Sequence, residues 1–380
     1  MPSATAESAY DPRARSCAWC YAVLLTTTTG GVGSGVSCAA CPRSFCSGPC
    51  RDMDWSTHSF WCGKAGEKGV DFEICHISGK GLGMIAKRSF ERGEKILAER
   101  PVLTTTNVVA TCNDQTNTTA AANESIRVAA MSLTPLQGSL DDKVHANGVC
   151  LESQDPEQPT PPPPPQTTTT SNSDDKENSE QDDDDDDDNM AAGLFLTFSR
   201  VNHDCLGNAD HYFDHQHGVE LLVANHRIEA QTEITFPYTR SGKQRQICLE
   251  WRGFTCHCKA CQIPFWNDQV NAMCTLDSRI TQLGGCSCDQ KRAKAVQSAK
   301  TLLVIYDRVQ ASCRDYARVH YDLFQILVLQ NDTMPEARRH MLLAHDYALS
   351  FCGYDQHETV LKYRGYVDHP ERHGNYRAID

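Results

Sequence analysis

Between Cys17 and Cys62 the chain places seven cysteines and one histidine in four close pairs: Cys17-x2-Cys20, Cys38-x2-Cys41, Cys46-x3-Cys50 and His58-x3-Cys62. No other feature limits the fold as strongly. Eight such ligands make two four-coordinate zinc sites, and sites closed in this way are structural. In a cross-braced module, alternate pairs share a metal. The expected sets are Cys17, Cys20, Cys46 and Cys50 on one ion, and Cys38, Cys41, His58 and Cys62 on the other. A segment this short has few core residues, and structural zinc supplies roughly 10–16 kcal/mol in small domains.

A second run, "TCHCKACQ", holds Cys256, Cys258 and Cys261. Three thiols are one short of a tetrahedral set, so a fourth ligand has to come from elsewhere in the fold. The chain has 20 cysteines in 380 residues. Its first residues show no basic start followed by an apolar run, and no stretch reaches the roughly 18 apolar residues of a membrane helix. The expectation is an intracellular protein, in nucleus and/or cytoplasm, with reduced thiols and metal sites. Disulfides are the competing reading.

The net charge of −13 is concentrated. Asp174 to Asp188 carries eleven acids and one lysine, ten of those thirteen charges. The remainder is nearly neutral, which argues against direct nucleic-acid binding through a basic surface. This run belongs to a polar, proline- and threonine-rich stretch that cannot bury enough apolar surface to offset its chain entropy. Residues 111–189 therefore read as a mostly disordered insertion, with a short helix near Glu124–Ser132. Residues 1–16 read as a polar tail.

Either side of the insertion, short apolar runs with tight turns read as strands. "FEICHI", the turn "SGKGLG", "MIAKRSF" and "KILAERPVL" look like a meander, and "GVELLVANHRI" and "TEITFPY" like two more strands. From about Lys291 the period lengthens to that of helices. Leu302, Leu303, Tyr306 and Val309 mark one apolar face, and Tyr316, Val319, Leu323 and Leu327 another. A third helix opens with Pro335 in its first turn and stops before Gly353. The fold class is α+β.

Two stretches carry family resemblances. "CPRSFCSGPCRDMDWSTHSFWC" resembles the second half of a MYND zinc finger, which implies protein binding, including proline-containing peptides. "GKGLGMIAKRSFERGEKILAERPVL", "LFLTFSRVNHDCLGNADHYF", "ANHRIEAQTEITFPY" and "WRGFTCHCKACQ" resemble, in order, the parts of a SET domain. The organisation implied is a finger at 17–62, SET parts at 70–110 and 190–240, a post-SET zinc segment at 248–264 and a helical region at 290–374.

SET domains transfer a methyl group from S-adenosylmethionine to a protein lysine. The resemblance implies that Cys205 joins Cys256, Cys258 and Cys261 around a third zinc. It implies that Lys80, Gly81, Leu82 and Gly83 cradle the cofactor, and that Asn202 and His203 hold its amino-acid part and adenine. Tyr238 would be the active-site tyrosine, and Phe254 a wall of the lysine channel. Asp204 and Gly207 depart from the family's serine and proline. Gly207 is expected to loosen its loop. A catalytically weak or inactive scaffold for transcriptional or chromatin regulation is the alternative to the enzyme. Cys286 and Cys288 are expected to be plain thiols.

Overall fold

A computed structural model describes residues 13–14, 16–21, 24, 35–104, 149–150, 192–239, 245–286, 288–329 and 331–376. The expected tail falls mostly outside these residues. The expected insertion lies outside them apart from 149–150, and the expected helix near Glu124–Ser132 lies wholly outside.

The cysteine-rich module has little regular structure. Strands β1 (Val36–Ser37) and β2 (Ser44–Phe45) pair antiparallel, and the turn between them carries Cys38 and Cys41. Helix α1 (Gly48–Trp61) opens where the Ser47 hydroxyl accepts the Cys50 N–H, with a proline in its first turn. It carries Cys50 and His58, eight positions apart and so about 12 Å along the axis. The two ligands therefore serve different clusters. Buried Asp54 pairs with Arg43 at 2.9 Å, and Arg43 reaches Glu67 at 3.5 Å, tying the module to the chain that follows. Burial pushes the Glu67 carboxyl up to about 7.

The β core consists of two main sheets. Strands β3 (Phe72–Ile77) and β4 (Gly81–Ala86) form a hairpin whose turn needs Gly79 at a φ of +75°. The turn is shorter than the sequence suggests, because Gly81, Leu82 and Gly83 already belong to β4. The expected meander is not formed. Strand β5 (Lys95–Glu99) turns away from β4 and pairs with β11 (Val219–Ala224), from Glu99↔Glu220 to Lys95↔Val223. Every residue of β11 is buried. A strand covered this fully needs neighbours on both edges, and β10 (Ala209–Asp214) is the other. β10 is hidden in the sequence because its acids Asp210 and Asp214 are themselves buried.

In the other sheet, ordered β3-β4-β12-β9, strand β12 (Glu233–Phe236) lies antiparallel to β4 and parallel to β9 (Asn202–His203). A small third sheet joins β6 (Leu103–Thr104), β8 (Ala192–Leu194) and β7 (Val149–Cys150), which closes the chain on both sides of the insertion. Phe72, Met84, Phe90, Ile96, Phe195, Phe198, Leu222 and Ile234 fill the core between the main sheets.

The helices begin earlier than the expected residue 290. After α2 (Arg245–Trp251) and α3 (Lys259–Gln262) comes α4 (Pro264–Gly284), a 21-residue helix the sequence reading passed over. Its face is thin, with Val270, Ile280 and Gly284 the buried residues. Even so, Val270, Met273, Leu276, Ile280 and Leu283 recur at helical spacing. α5 (Asp289–Val309), α6 (Cys313–Leu327), α7 (Met334–Cys352) and α8 (Glu358–Asp368) follow. A capping box, Ser312 with Asp315, starts α6, and left-handed Gly353 ends α7.

These helices share a core with Tyr212, Leu221 and Val223 of the β10–β11–β5 sheet and with Trp61 of the module. Buried Lys95 fastens the two parts, donating to Gly93 O and Ser350 O at 2.8 Å each. Burial pulls its ammonium down to about 8.

Candidate active site and metal clusters

Three groups of four ligand atoms each gather within 4.8 Å: Cys17, Cys20, Cys46 and Cys50; Cys38, Cys41, His58 and Cys62; and Cys205, Cys256, Cys258 and Cys261. The structure thus brings together each set named from the sequence. Characteristic separations are 3.5 Å for Cys20–Cys46, 3.4 Å for Cys41 Sγ to His58 Nε2 and 3.6 Å for Cys205–Cys261. Sulfur and imidazole donors in closed fours suit zinc. Burial drives His58 down to about 4, so its ring is neutral near pH 7, the state in which it ligates. Cys286 and Cys288 join no such group among the described residues.

The third cluster is wired to the proposed catalytic residues. His203, on β9, accepts the Tyr238 backbone N–H at Nδ1 (2.9 Å), and its Nε2 lies 3.3 Å from Cys205 Sγ. Burial drives this histidine down to about 4. In the neutral ring, an accepting Nδ1 leaves the proton on Nε2, which donates to sulfur. Both ring nitrogens are therefore engaged inside the protein. The backbone and ring face of His203 are then what it can offer to the adenine that the resemblance assigns to it.

Tyr238 follows β12 by two residues. Its hydroxyl donates to Val201 O at 2.7 Å, and burial raises it to about 12. Its ring lies 5.2 Å from those of His203 and Phe236, and edge-on to Phe254 at 6.1 Å. Phe254, only about one-third exposed, also faces His203 at 5.9 Å. An aromatic corner results, with two oxygens, Tyr238 Oη and Val201 O, at its base.

Lys80 and Asn202 meet on a residue the sequence reading missed. Glu233 accepts Asn202 Nδ2 at 2.9 Å on one oxygen and Lys80 Nζ at 2.7 Å on the other. An acid four positions before Pro237 at the start of a strand that leads to Tyr238 was the available signal. Gly83 permits this approach, since a Cβ there would stand 2.7 Å from Asn202 Nδ2 and 2.5 Å from Ile77 Cγ1. Gly81, at φ +79°, has nothing within 4 Å of such a Cβ. Its backbone is open to a ligand, and this open edge beside a carboxylate and an amide fits the polar end of an amino acid.

The two departures have local explanations. Asp204 Oδ1 accepts the Leu206 N–H at 2.8 Å, closing its own turn, and burial raises its carboxyl to about 6. Gly207 does not loosen its loop. A Cβ there would lie 2.6 Å from Thr235 O and from Phe236 Cα, so glycine lets this loop press onto β12. Asn208 then stitches the contact, donating to Glu233 O (2.8 Å) and accepting Thr235 N–H (2.9 Å). Buried Glu99, also missed, accepts Thr197 N–H (2.9 Å) and Phe198 N–H (2.7 Å) and so fixes the turn that leads to Val201 and Asn202.

Comparison with known proteins agrees with this geometry at the level of the domain. Residues 81–239 match the family model described as SET domain, and the chain carries such a domain there. The histone-lysine N-methyltransferase set5 of Schizosaccharomyces pombe is 24% identical over 197 residues, covering 50% of each chain. The chain thus spans about half the length of the curated relative it matches. The Neurospora SET domain protein DIM-5, a histone lysine methyltransferase, is similar at 16% identity and a TM-score of 0.23, over 44% of this chain and 52% of that one. The complex ctPRC2, in an autoinhibited conformation bound to S-adenosylmethionine, gives 13% identity and a TM-score of 0.22, over 77% of this chain and 33% of that one. At those scores neither structure bears on the site.

Proposed function

We propose that this chain, with its SET domain, is a protein-lysine methyltransferase that uses S-adenosylmethionine. One observation carries the reading: the Tyr238 hydroxyl and Val201 O, hydrogen-bonded at 2.7 Å in an aromatic corner, adjoin the Asn202–Glu233–Lys80 cluster. Bound at that cluster, the cofactor supplies a methyl group on a sulfonium. Lys80 to Gly83, Asn202 and Glu233 hold its polar end. Methyl transfer is an in-line displacement, so positioning does most of the work, worth about 7–11 kcal/mol of barrier.

Tyr238 is no general base near neutral pH, because its hydroxyl stays protonated up to about 12. It acts as an oriented dipole. Its oxygen and Val201 O face the amine where positive charge develops. Phe254 and the Tyr238 ring exclude water and ease the loss of the amine's proton to solvent before transfer. The third cluster, filled with zinc, holds Cys205 and hence His203 and Tyr238 in register.

The remaining assignments rest on the same sequence patterns. The two N-terminal clusters form a MYND-type finger with two zinc ions, and the substrate is a protein lysine, on a histone or another protein. The scaffold alternative drew on Asp204, Gly207 and the acidic insertion, and the local roles of Asp204 and Gly207 weaken it in part. Calorimetry with S-adenosylmethionine, followed by single-turnover labelling of one responsive lysate protein, tests the proposal. Wild-type protein that binds no cofactor would overturn it.

A further inference from the structure

A second concavity lies on the opposite face of β10 from the active-site candidates. Successive residues of a strand point to opposite faces. The His211 ring packs on Phe198 and Phe236, at 5.1 and 4.6 Å, on the side of the β core. Tyr212 faces the helices, with its hydroxyl on Cys352 O at 2.7 Å and its ring 5.0 Å from Phe351. Between them and the α7–α8 connection is a cavity of about 210 Å³. None of Asn202, His203, Glu233, Tyr238 or Phe254 lines it.

Its walls are aromatic and set at steep angles. The His357 ring stands edge-on to Tyr212 (5.7 Å, 85°) and to Tyr354 (5.4 Å, 74°), and Phe351 also lines the space. Two carboxylates border it, Asp214 and Glu358. Asp214 is buried and braces Tyr354, whose hydroxyl it accepts at 3.0 Å, and it also contacts His217 Nδ1 at 2.6 Å. One guanidinium, Arg314, lines the cavity as well. Two bordering acids against one guanidinium leave the lining net negative, which suits a cation.

We infer that this cavity binds the methylated ammonium of a lysine side chain. Ring faces attract a cation through their quadrupole, and methylation keeps the charge while loosening its hydration. A bare ammonium would lose more water on entering than these walls return. This inference goes beyond the proposed transferase activity and does not rest on it, since a protein without that activity would show the same binding.

The test uses full-length, zinc-replete protein without cofactor, titrated by NMR with three capped amino acids: trimethyllysine, lysine, and the uncharged isostere in which carbon replaces the methylated nitrogen. Trimethyllysine should bind at least tenfold more tightly than either of the others. Tyr354→Ala should weaken it at least tenfold, and Glu358→Gln, at an exposed position, several-fold. Tyr238→Phe should leave it unchanged. Equal binding of the uncharged isostere would make the cavity merely apolar and overturn the inference. So would binding that survives both Tyr354→Ala and Glu358→Gln, binding lost in Tyr238→Phe, or the absence of saturable binding.

Discussion

From Cys38 to Cys62 the buried aromatic or aliphatic side chains are Phe45 and Trp61. In the helix Cys313–Leu327 alone, ten residues are buried, among them Tyr316, Val319, Leu323 and Phe324. The first region supplies six of the eight ligand atoms and, with Cys17, Cys20 and strand β1 just ahead of it, has a pair of two-residue strands and one helix to bring the eight into two groups. The second has no metal group among its described residues and closes a continuous apolar core with α4, α5, α7 and α8. One part of the chain is held by coordination and the other by burial. Conditions that attack one should therefore spare the other. The third cluster is intermediate, since it joins Cys205 to residues more than fifty positions later and fastens them to a sheet that already has a core.

The largest expected effect is that of metal removal. Chelation should cost the N-terminal module up to roughly 10–16 kcal/mol per site, enough to unfold it. Hydrogen exchange should then show α1 unprotected while α5 to α7 keep their protection. Equal loss in the helices would end the contrast. Elemental analysis should find close to three zinc ions per chain. A value near two that survives Cys256→Ser would remove the third cluster from the scheme.

Acid should produce the converse. His320 and His340 face each other with Nδ1 atoms 2.9 Å apart, between α6 and α7. Burial drives His320 down to about 4 and lowers His340 as well. Unfolded histidines titrate near 6.5. Below that pH the unfolded chain takes up protons that the buried pair refuses. Stability is therefore fully present above about 6.5 and lost as pH falls toward 4, on the order of 3 kcal/mol for His320. Thermal melts of chelated protein, in which ligand protonation no longer matters, should show this decline, and His320→Gln should flatten it.

At the third cluster the contrast narrows to a single hydroxyl. Tyr238→Phe keeps the ring and gives up a hydrogen bond worth about 1 kcal/mol, so the fold should persist. Cofactor affinity should barely move. Methyl transfer should fall at least about tenfold, or about 1.4 kcal/mol of barrier. Unchanged turnover would take Tyr238 out of the mechanism. The smallest effect belongs to the insertion. Removing 151–189 shortens the connection between β5 and β11 by about a third, worth about 0.4 kcal/mol of closure entropy. The melting temperature should hardly change, and a large drop would contradict the disordered reading of that stretch.

Metal ligands were the most legible part of the sequence, because four atoms on one ion leave few spacings open. Helix faces were legible where burial is one-sided, as at Tyr316, Val319, Leu323 and Leu327 in α6. They were missed in α4, whose buried side is a few residues wide. Strand partners were not legible. Nothing in "KILAE" says that it pairs across the insertion with "VELLV" rather than with its neighbour. The same holds for polar residues whose roles lie in three dimensions. Glu99 and Glu233 read as ordinary strand acids, and Gly207 as a flexible link, until the backbone each one meets is known.

The pairing of β5 with β11 also sets a timetable. Glu99 and Glu220 are opposite one another in the sheet and 121 positions apart in the chain. At about 5–20 residues per second of synthesis, β5 leaves the ribosome roughly 6–24 s before its partner exists. Throughout that interval its edge lacks β11, and for most of it the Glu99 carboxylate has neither Thr197 nor Phe198 to bind. Helices α5 to α8, which contact mainly their sequence neighbours, face no comparable delay. The newly made chain should therefore need protection at its β5 edge, and a shorter insertion should shorten the exposure in proportion.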